Sequence, residues 1–157
     1  MRSFESKVAE IFNEHPELAR HIPTVIRQVF NESEAAFKKR MRGASEHAAQ
    51  SSMLQLFDIL YIDYYFKELD DRFLSWVIKH ESDRFTTSEL EEIRAQAEAH
   101  LDYYEIQDVI PGQGSYIKSL CAGNEGFLKD VASSTQLAKW DITLSRCYFF
   151  RDHYYAT

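Results

Sequence analysis

Glycine is distributed very unevenly along this chain of 157 residues. Four of the five glycines lie within residues 108–127, DVIPGQGSYIKSLCAGNEGF, and the fifth is Gly43. Glycine is unfavourable inside helices and common at tight turns. The distribution therefore divides the chain into a part expected to be helical, residues 1–100, and a part expected to hold short strands joined by turns, residues 101–157.

The first part shows helical periodicity and helix boundaries. Phe4, Val8, Ile11 and Phe12 recur with the 3.6-residue period of a single apolar stripe. The segment TTSELEEIRAQAEAH begins with Thr86 followed three residues later by Glu89, the pattern of a capping box. We expect a helix that starts at this box and ends near residue 100.

Four basic residues, Lys38, Lys39, Arg40 and Arg42, precede Gly43. Such a cluster is compatible with a polyanion site. It is also typical of the end of a helix, where cations offset the negative end of the helix dipole and glycine follows the last turn. We favour the helix end.

The second part contains short segments rich in β-branched and aromatic residues: YYEIQDVIP, SYIKSLCAG, EGFLKDVAS and DITLSRCYFF. Four or five strands within about 55 residues, without a helix between them, favour a small closed sheet. The predicted fold class is α+β. A helical domain, residues 1–100, is followed by a small antiparallel, SH3-like β-barrel domain, residues 101–157.

The PGQG segment raises the question of a phosphate-binding loop. Phosphate loops carry their glycines at the start of a helix, and a Walker loop adds a lysine after the last glycine. Here Gly114 is followed by the strand-like SYIKSL. Pro111 and Gly112 instead suit the two central positions of a type II turn, with positive φ at Gly112. We expect a hairpin corner.

The same region resembles the small β domain of uncharacterised prokaryotic proteins that often end in a SEC-C zinc motif. The positions that match are Tyr104, Ile106, Pro111, Gly112, Gly114, Ile117, Leu120, Gly123, Ser134, Leu137, Asp141 and Arg146, with Phe57 and Asp58 upstream. Ser119 and Ala122 stand where that pattern has Asp and Thr, and the terminal cysteine-rich motif is absent. The resemblance implies the barrel fold and says almost nothing about function.

Charge and hydropathy narrow the classes of partner. Residues 1–100 carry 13 basic and 18 acidic side chains and residues 101–157 carry 5 and 7, so each part is negative. This disfavours nucleic acid, whose binding draws on clustered positive charge. The longest apolar run, residues 53–66, is interrupted by Asp58 and Asp63, so no membrane span is expected.

Two cysteines, Cys121 and Cys147, are too few for a disulfide scaffold or a four-ligand zinc site. Both fall in predicted strands and are expected to be buried. With an N-terminal segment unlike a signal peptide, this favours a cytoplasmic protein. The six histidines show no metal-ligand spacing, and we expect neither a metal nor a cofactor.

Polar residues offer few candidates for chemistry. Asp58 lies between apolar neighbours and could join nearby carboxylates in a metal-dependent hydrolase site, which is the least favoured function. Asp141 and Arg146 could form an ion pair at the last corner of the barrel or bind a ligand. We assign no catalytic residue.

The C-terminal segment CYFFRDHYYAT is unusually aromatic. We expect Tyr148 and Phe150, or Phe149, to be buried, and Tyr154 and Tyr155 to contact helices or a partner. The favoured function is a non-catalytic interaction or adaptor domain that binds a protein, with a homodimer as one form. The alternative is nucleic-acid or ribosome binding, in which the barrel's tyrosines would stack on bases.

Overall fold

The computed structural model describes residues 3–157, apart from the side chains of Ser3 and His47, and the chain divides into two compact units. The first unit is Met1–Ala97 and the second is Glu98–Thr157. Helices make up most of the described part of the first unit, and five strands form a closed barrel in the second. The predicted order of a helical half followed by a small β-barrel is confirmed.

Within residues 3–97 the chain forms six α-helices and a short hairpin. The helices are α1 (Ser3–Glu14), α2 (Ile22–Phe30), α3 (Glu34–Gly43), α4 (Glu46–Asp58), α5 (Phe73–His80) and α6 (Thr87–Ala97). A π-helical turn, Ile59–Asp63, and the hairpin of β1 (Tyr65–Phe66) and β2 (Asp71–Arg72) connect α4 to α5. No helix in the described chain combines the length and the apolar character that a membrane crossing requires.

Side-chain caps explain where several helices begin. The hydroxyl of Ser33 accepts a hydrogen bond from the amide of Ala36 at 3.2 Å, and that of Ser45 accepts one from Ala48 at 3.3 Å. These bonds satisfy amides that have no partner within the first turn of a helix. The starts of α3 and α4 are therefore fixed by single serine side chains.

The capping box predicted at the start of α6 is confirmed. The amide of Glu89 donates to the Thr86 hydroxyl at 3.3 Å, and the amide of Thr86 donates to the Glu89 carboxylate at 2.8 Å. The helix ends at Ala97, close to the expected end near residue 100, and the first strand of the barrel begins at His100, so helix passes almost directly into strand.

The core of the helical unit forms around α1. The four residues of its predicted apolar stripe, Phe4, Val8, Ile11 and Phe12, are at most 6% exposed. The ring of Phe12 meets the ring of Phe73 edge to face, with centroids 5.2 Å apart. Such aromatic pairs add stability beyond the apolar area they bury.

Two ion pairs join α1 to the chain around α6. Lys7 lies 2.8 Å from the carboxylate of Glu89, and the guanidinium of Arg84 donates to both oxygens of Glu14 at 2.7 and 2.8 Å. Since Glu89 also closes the capping box, one carboxylate serves both the start of α6 and its contact with α1.

The barrel consists of β3 (His100–Ile110), β4 (Gly114–Ser119), β5 (Glu125–Leu128), β6 (Ile142–Phe150) and β7 (His153–Ala156), in the order β3–β4–β5–β7–β6. Four pairings are antiparallel, including the pairing of β3 with β6, and β5 and β7 are parallel. The prediction of an antiparallel barrel is thus corrected to a mixed barrel. A ring of five strands cannot alternate direction throughout, so one pair has to be parallel.

The PGQG segment is the turn between β3 and β4, as predicted. The amide of Gln113 donates to the carbonyl of Ile110 at 3.0 Å, and Gly112 has a φ of +77°. At Gly114 a Cβ atom would lie 2.1 Å from the carbonyl oxygen of Leu128. The second glycine therefore allows β4 to approach β5, and the residues after it continue as a strand.

The two cysteines differ in environment. Cys147 is buried in the barrel core, whereas Cys121 is exposed in the turn that follows β4. The expectation of two buried strand thiols is therefore wrong for Cys121. The reason is that β4 ends at Ser119, earlier than its apolar sequence suggests.

Removing the cap of α6 measures what the box contributes. We expect Thr86→Ala to lower the free energy of unfolding by about 1 kcal/mol, because the amide of Glu89 loses its acceptor. Thr87→Ala is the matched control, since that side chain is exposed and follows the cap. Urea denaturation checks both variants, and equal destabilisation would contradict the role of the box.

Candidate interaction surface on the barrel

The pairing of β3 with β6 decides which side chains face the barrel interior. Asp102 lies opposite Ser145, and Tyr104 lies opposite Thr143. Asp102 and Tyr104 are only 2% and 3% exposed, so this face is the inner one. Because successive side chains of a strand point to opposite faces, the residues between them point outward.

The outward side of these two strands is apolar. Tyr103 lies opposite Leu144 at its centre. The amide of Leu120 donates to the carbonyl of Tyr103, and that of Trp140 donates to the carbonyl of Ile106, which places both residues beside the strands. We call this surface the outer β3–β6 face. It consists of six large side chains that are 46–62% exposed: Leu101, Tyr103, Leu120, Trp140, Ile142 and Leu144.

Polar and apolar residues in β6 are placed opposite to the usual arrangement. An antiparallel sheet normally turns its apolar side chains to the core and its polar ones to water. Here Thr143 and Ser145 lie on the inner face, whereas Ile142 and Leu144 point outward and are 61% and 52% exposed. A register shift of one residue would exchange the two faces. The observed register leaves apolar groups in water, which folding alone does not explain.

A buried carboxylate holds the register in place. Asp102 accepts hydrogen bonds from the thiol of Cys121, from the hydroxyl of Ser119 and, at 2.7 Å, from the amide of Tyr103. The Ser119 oxygen accepts in turn from the amide of Ala122 at 2.8 Å. Shifting β3 by one residue would separate Asp102 from Ser119 and Cys121 and leave the buried hydroxyl of Ser119 without its acceptor, at about 1–3 kcal/mol.

The same bonds set the protonation of the two titratable groups. Donation by the Cys121 thiol and by the Ser119 hydroxyl lowers the pKa of the Asp102 carboxyl. The Asp102 carboxylate, as acceptor of the thiol proton, raises the pKa of Cys121. Since the thiolate is the reactive form of cysteine, Cys121 is a poor nucleophile despite its exposure. The cluster shapes the turn after β4 and provides no activated group.

The backbone at Trp140 displays its side chain to solvent. Its φ of +75° is in the left-handed region, which costs a bulky residue on the order of 1–3 kcal/mol. The turn is maintained by Asp141, whose carboxylate accepts from the amide of Ala138 at 2.7 Å. The ammonium of Lys139 lies 4.9 Å from the indole centroid. The indole is 62% exposed, so packing within the barrel does not offset this cost.

Charged residues of both signs border the outer β3–β6 face. Arg146 lies opposite Leu101 at one end, and Glu105 lies opposite Ile142 at the other. The guanidinium of Arg146 donates to the carbonyl of Ala99 at 2.8 Å. An apolar centre with a polar rim is the usual anatomy of a protein–protein interface.

The polar residues singled out in the sequence lie elsewhere or serve the backbone. Asp58 is the half-buried last residue of α4. Within the described chain, no three His, Cys, Asp or Glu residues are grouped so that they could hold a metal ion. Asp141 and Arg146 form hydrogen bonds with backbone groups, the amide of Ala138 and the carbonyl of Ala99. These contacts give the last two residues roles in shaping the barrel.

The C-terminal tyrosines pack against other rings of the barrel. Tyr155 stacks on Tyr148 with centroids 5.7 Å apart, and Tyr154 lies 5.2 Å from Phe149. Tyr148 is 2% exposed, as predicted, and Phe150 is half-buried, whereas Phe149 is 54% exposed. Tyr154 and Tyr155 are partly buried. They are therefore less available to a partner than the outer β3–β6 face.

None of the six residues of the outer β3–β6 face was among the candidate site residues, although a signal was present. In β6, Ile142 and Leu144 alternate with Thr143 and Ser145, which indicates a strand with one apolar face. The ordinary rule turns that face inward. Here the apolar face of β6 points outward because β6 pairs with β3 in the register that places Asp102 opposite Ser145. Such long-range pairing is not visible in a single sequence.

Comparison with known proteins identifies no relative from which a function could be transferred. No protein-family model matches the chain, and no significant match to a curated protein or to a solved structure is found. The geometry of the site is therefore the basis for assigning a function.

Cys121 reports on its contact with Asp102. In a Cys147→Ala background Cys121 is the only cysteine, and we expect slow alkylation by iodoacetamide with a pH midpoint above 9.0. Asp102→Asn should lower the pKa of the thiol and speed alkylation at pH 8 severalfold. Asp108→Asn is the matched control, because it makes the same change at an exposed position of β3.

Mass spectrometry measures the alkylation rates, and circular dichroism checks that each variant is folded. A pH midpoint at or below 9.0 for the Cys147→Ala chain would contradict the contact. An equal effect of Asp102→Asn and Asp108→Asn would contradict it as well.

Proposed function

We propose that this chain is a non-catalytic interaction domain that binds a protein partner through the outer β3–β6 face. The observation that carries the proposal is the reversed pattern of β6, which exposes Ile142 and Leu144 beside Tyr103. Burying apolar groups stabilises a protein by about 0.8 kcal/mol per methylene, and the fold of this chain leaves that stabilisation unused. A partner that covers the face gains it on binding.

The expected partner presents a flat apolar surface, because the outer surface of two adjacent strands is itself nearly flat. Aromatic residues often supply most of the energy of an interface. We therefore expect Tyr103 and Trp140 to contribute most, with Leu144, which lies opposite Tyr103, as the central aliphatic contact. A standard interface covers about 800 Å² on each partner, an area that six large side chains and their polar border approach. A second copy of this chain is one candidate for such a partner.

Nucleic-acid binding is the second candidate. Lys139 beside Trp140, on the same surface as Tyr103, is an arrangement that can stack on bases. Lys118, by contrast, lies 3.0 Å from Glu125 and is neutralised by it. Residues 98–157 carry five basic and eight acidic side chains, a net charge of −3, which repels a polyanion. Charge thus favours the protein partner.

We also propose that the barrel is SH3-like and related to the β domain of the SEC-C-associated proteins. Residues of the shared pattern support this through their structural roles. Gly112 has positive φ and donates its amide to the hydroxyl of Ser134 at 3.0 Å. Gly114 permits the contact of β4 with β5, and Asp141 closes the turn before β6. These positions shape turns, so the resemblance concerns the fold and brings no catalytic residue with it.

A reduced, cytoplasmic compartment is our proposal for location. Both cysteines are free thiols, Cys121 exposed and Cys147 buried. An exposed free thiol is typical of compartments that keep cysteines reduced.

Photo-crosslinking from the centre of the face tests the proposal. A photoreactive phenylalanine analogue in place of Tyr103 should give one dominant crosslinked species in cells that make the protein. The same analogue in place of Tyr65, which is also 52% exposed but lies in the helical unit, should not give that species. Adding Leu144→Lys to the Tyr103 probe should reduce the crosslink about tenfold, because it places a charge at the apolar centre.

The product distinguishes the classes of partner. A species of twice the chain mass identifies a second copy, and another discrete protein adduct identifies a different partner. A nuclease-sensitive adduct would show nucleic-acid binding in place of the proposed function. Identical products from the two probe positions, or no effect of Leu144→Lys, would refute the proposed surface.

A further inference from the structure

The helical unit contains an apolar groove that the proposed interaction surface does not involve. It lies between α2, α3 and α4 and has a volume of about 260 Å³. The apolar side chains that line it include Ile22, Ile26, Phe37, Met41, Met53 and Leu56. Methionine side chains adapt readily to the shape of an apolar ligand.

Charged residues border the groove along a single helix. Glu34, Lys38 and Arg42 lie four residues apart on α3, so they share one face of it. Glu34 and Lys38 form a salt bridge with each other. Arg42 is exposed and forms no ion pair or hydrogen bond with the rest of the described chain. The groove therefore offers one cation that no side chain in the described part of the chain neutralises.

Two arginines of the basic cluster noted in the sequence, Arg40 and Arg42, have different surroundings. Arg40 pairs with Glu32 at 2.9 Å and lies over the rings of Phe30 and Phe37, so it stabilises the helix packing. Arg42 lies at the groove instead. Both arginines lie in the last turn of α3, as the helix-end interpretation expects, and Arg42 also lines the groove.

We propose that the groove binds a free medium-chain carboxylic acid, with the alkyl chain against the methionines and the carboxylate on Arg42. Size supports this choice: an engineered apolar cavity of about 150 Å³ in another protein binds benzene, which has six heavy atoms. In proportion, 260 Å³ accepts about ten heavy atoms, the size of octanoate. Charge supports it too, because guanidinium and carboxylate form strong, charge-assisted hydrogen bonds.

A docked helix of another protein fits the same groove less well. Helix recognition uses anchor side chains at positions i, i+4 and i+7, which span about 10 Å along the axis. The volume of the groove is enough for one or two such anchors. A single linear ligand fills it completely.

The test is a titration of the full chain followed through the methyl signals of carbon-13-labelled methionine. The signals of Met41 and Met53 are assigned with Met→Leu variants. Octanoate should shift both signals in a saturable way at low-millimolar concentration. Affinity should rise about fourfold per methylene from butanoate to octanoate and then level off at decanoate, because the groove is filled.

Two variants and a neutral ligand test the role of the charge. Arg42→Gln should weaken octanoate binding about tenfold and leave octanol binding unchanged. Lys39→Gln is the matched control, since it removes the same charge from an exposed neighbour that does not line the groove. Lys39→Gln should leave octanoate binding as it is in the wild-type chain.

Three results would overturn the proposal. The first is the absence of saturable shifts at Met41 and Met53. The second is equal affinity for octanol and octanoate, which would mean that the groove recognises no anion. The third is an equal loss with Arg42→Gln and Lys39→Gln, which would reflect net charge alone. None of them affects the proposal for the barrel, because the two sites lie in different units.

Discussion

The buried carboxylate of Asp102 is the constraint on which the surface of the barrel depends. Its hydrogen bonds to Ser119, Cys121 and the amide of Tyr103 keep one face of β3 inside. Because β3 pairs with β6 in a fixed register, the same choice turns Leu144 outward. The lowered pKa of Asp102 means that folding is favoured by its ionised form. The stabilisation from this ionised carboxylate is present at pH values above its ordinary pKa of 3.8. It is lost as the pH falls through the lower pKa that Asp102 has in the folded state.

The two units meet different physical requirements. The helical unit satisfies its helix ends with serine and threonine caps and fills its interior with aromatic rings such as Phe12 and Phe73. The barrel has a small apolar core, and polar groups, Asp102 among them, lie on the inner face of β3 and β6. The apolar side chains of the outer β3–β6 face, which a larger core could bury, remain on the surface of the barrel. We regard that surplus as the origin of a binding surface, since exposed apolar patches of this kind mark sites of interaction.

Local patterns predicted local structure well. The stripe of α1, the Thr86–Glu89 box and the positive φ of Gly112 each depend on residues within one or two turns of each other. The parallel pair of β5 and β7 depends on how five strands close, which no local pattern contains. The β1–β2 hairpin has strands of two residues, too short for any periodicity, and turns at Asp70 with positive φ. The sequence did not predict the outer β3–β6 face, because alternation in β6 normally means that the apolar side chains point inward. Here Asp102, distant in the sequence, fixes the register in which they point outward.

The most direct test of the central claim is oxidative footprinting of the same protein, purified and inside the cells that make it. Tyr103 and Tyr65 are equally exposed and should be oxidised to a similar degree in the purified chain, while Ile117, at 1% exposure, should be protected. In cells, we expect oxidation of Tyr103 to fall severalfold relative to Tyr65, because a partner covers the outer β3–β6 face. An unchanged ratio of Tyr103 to Tyr65 oxidation between the two samples would contradict the account.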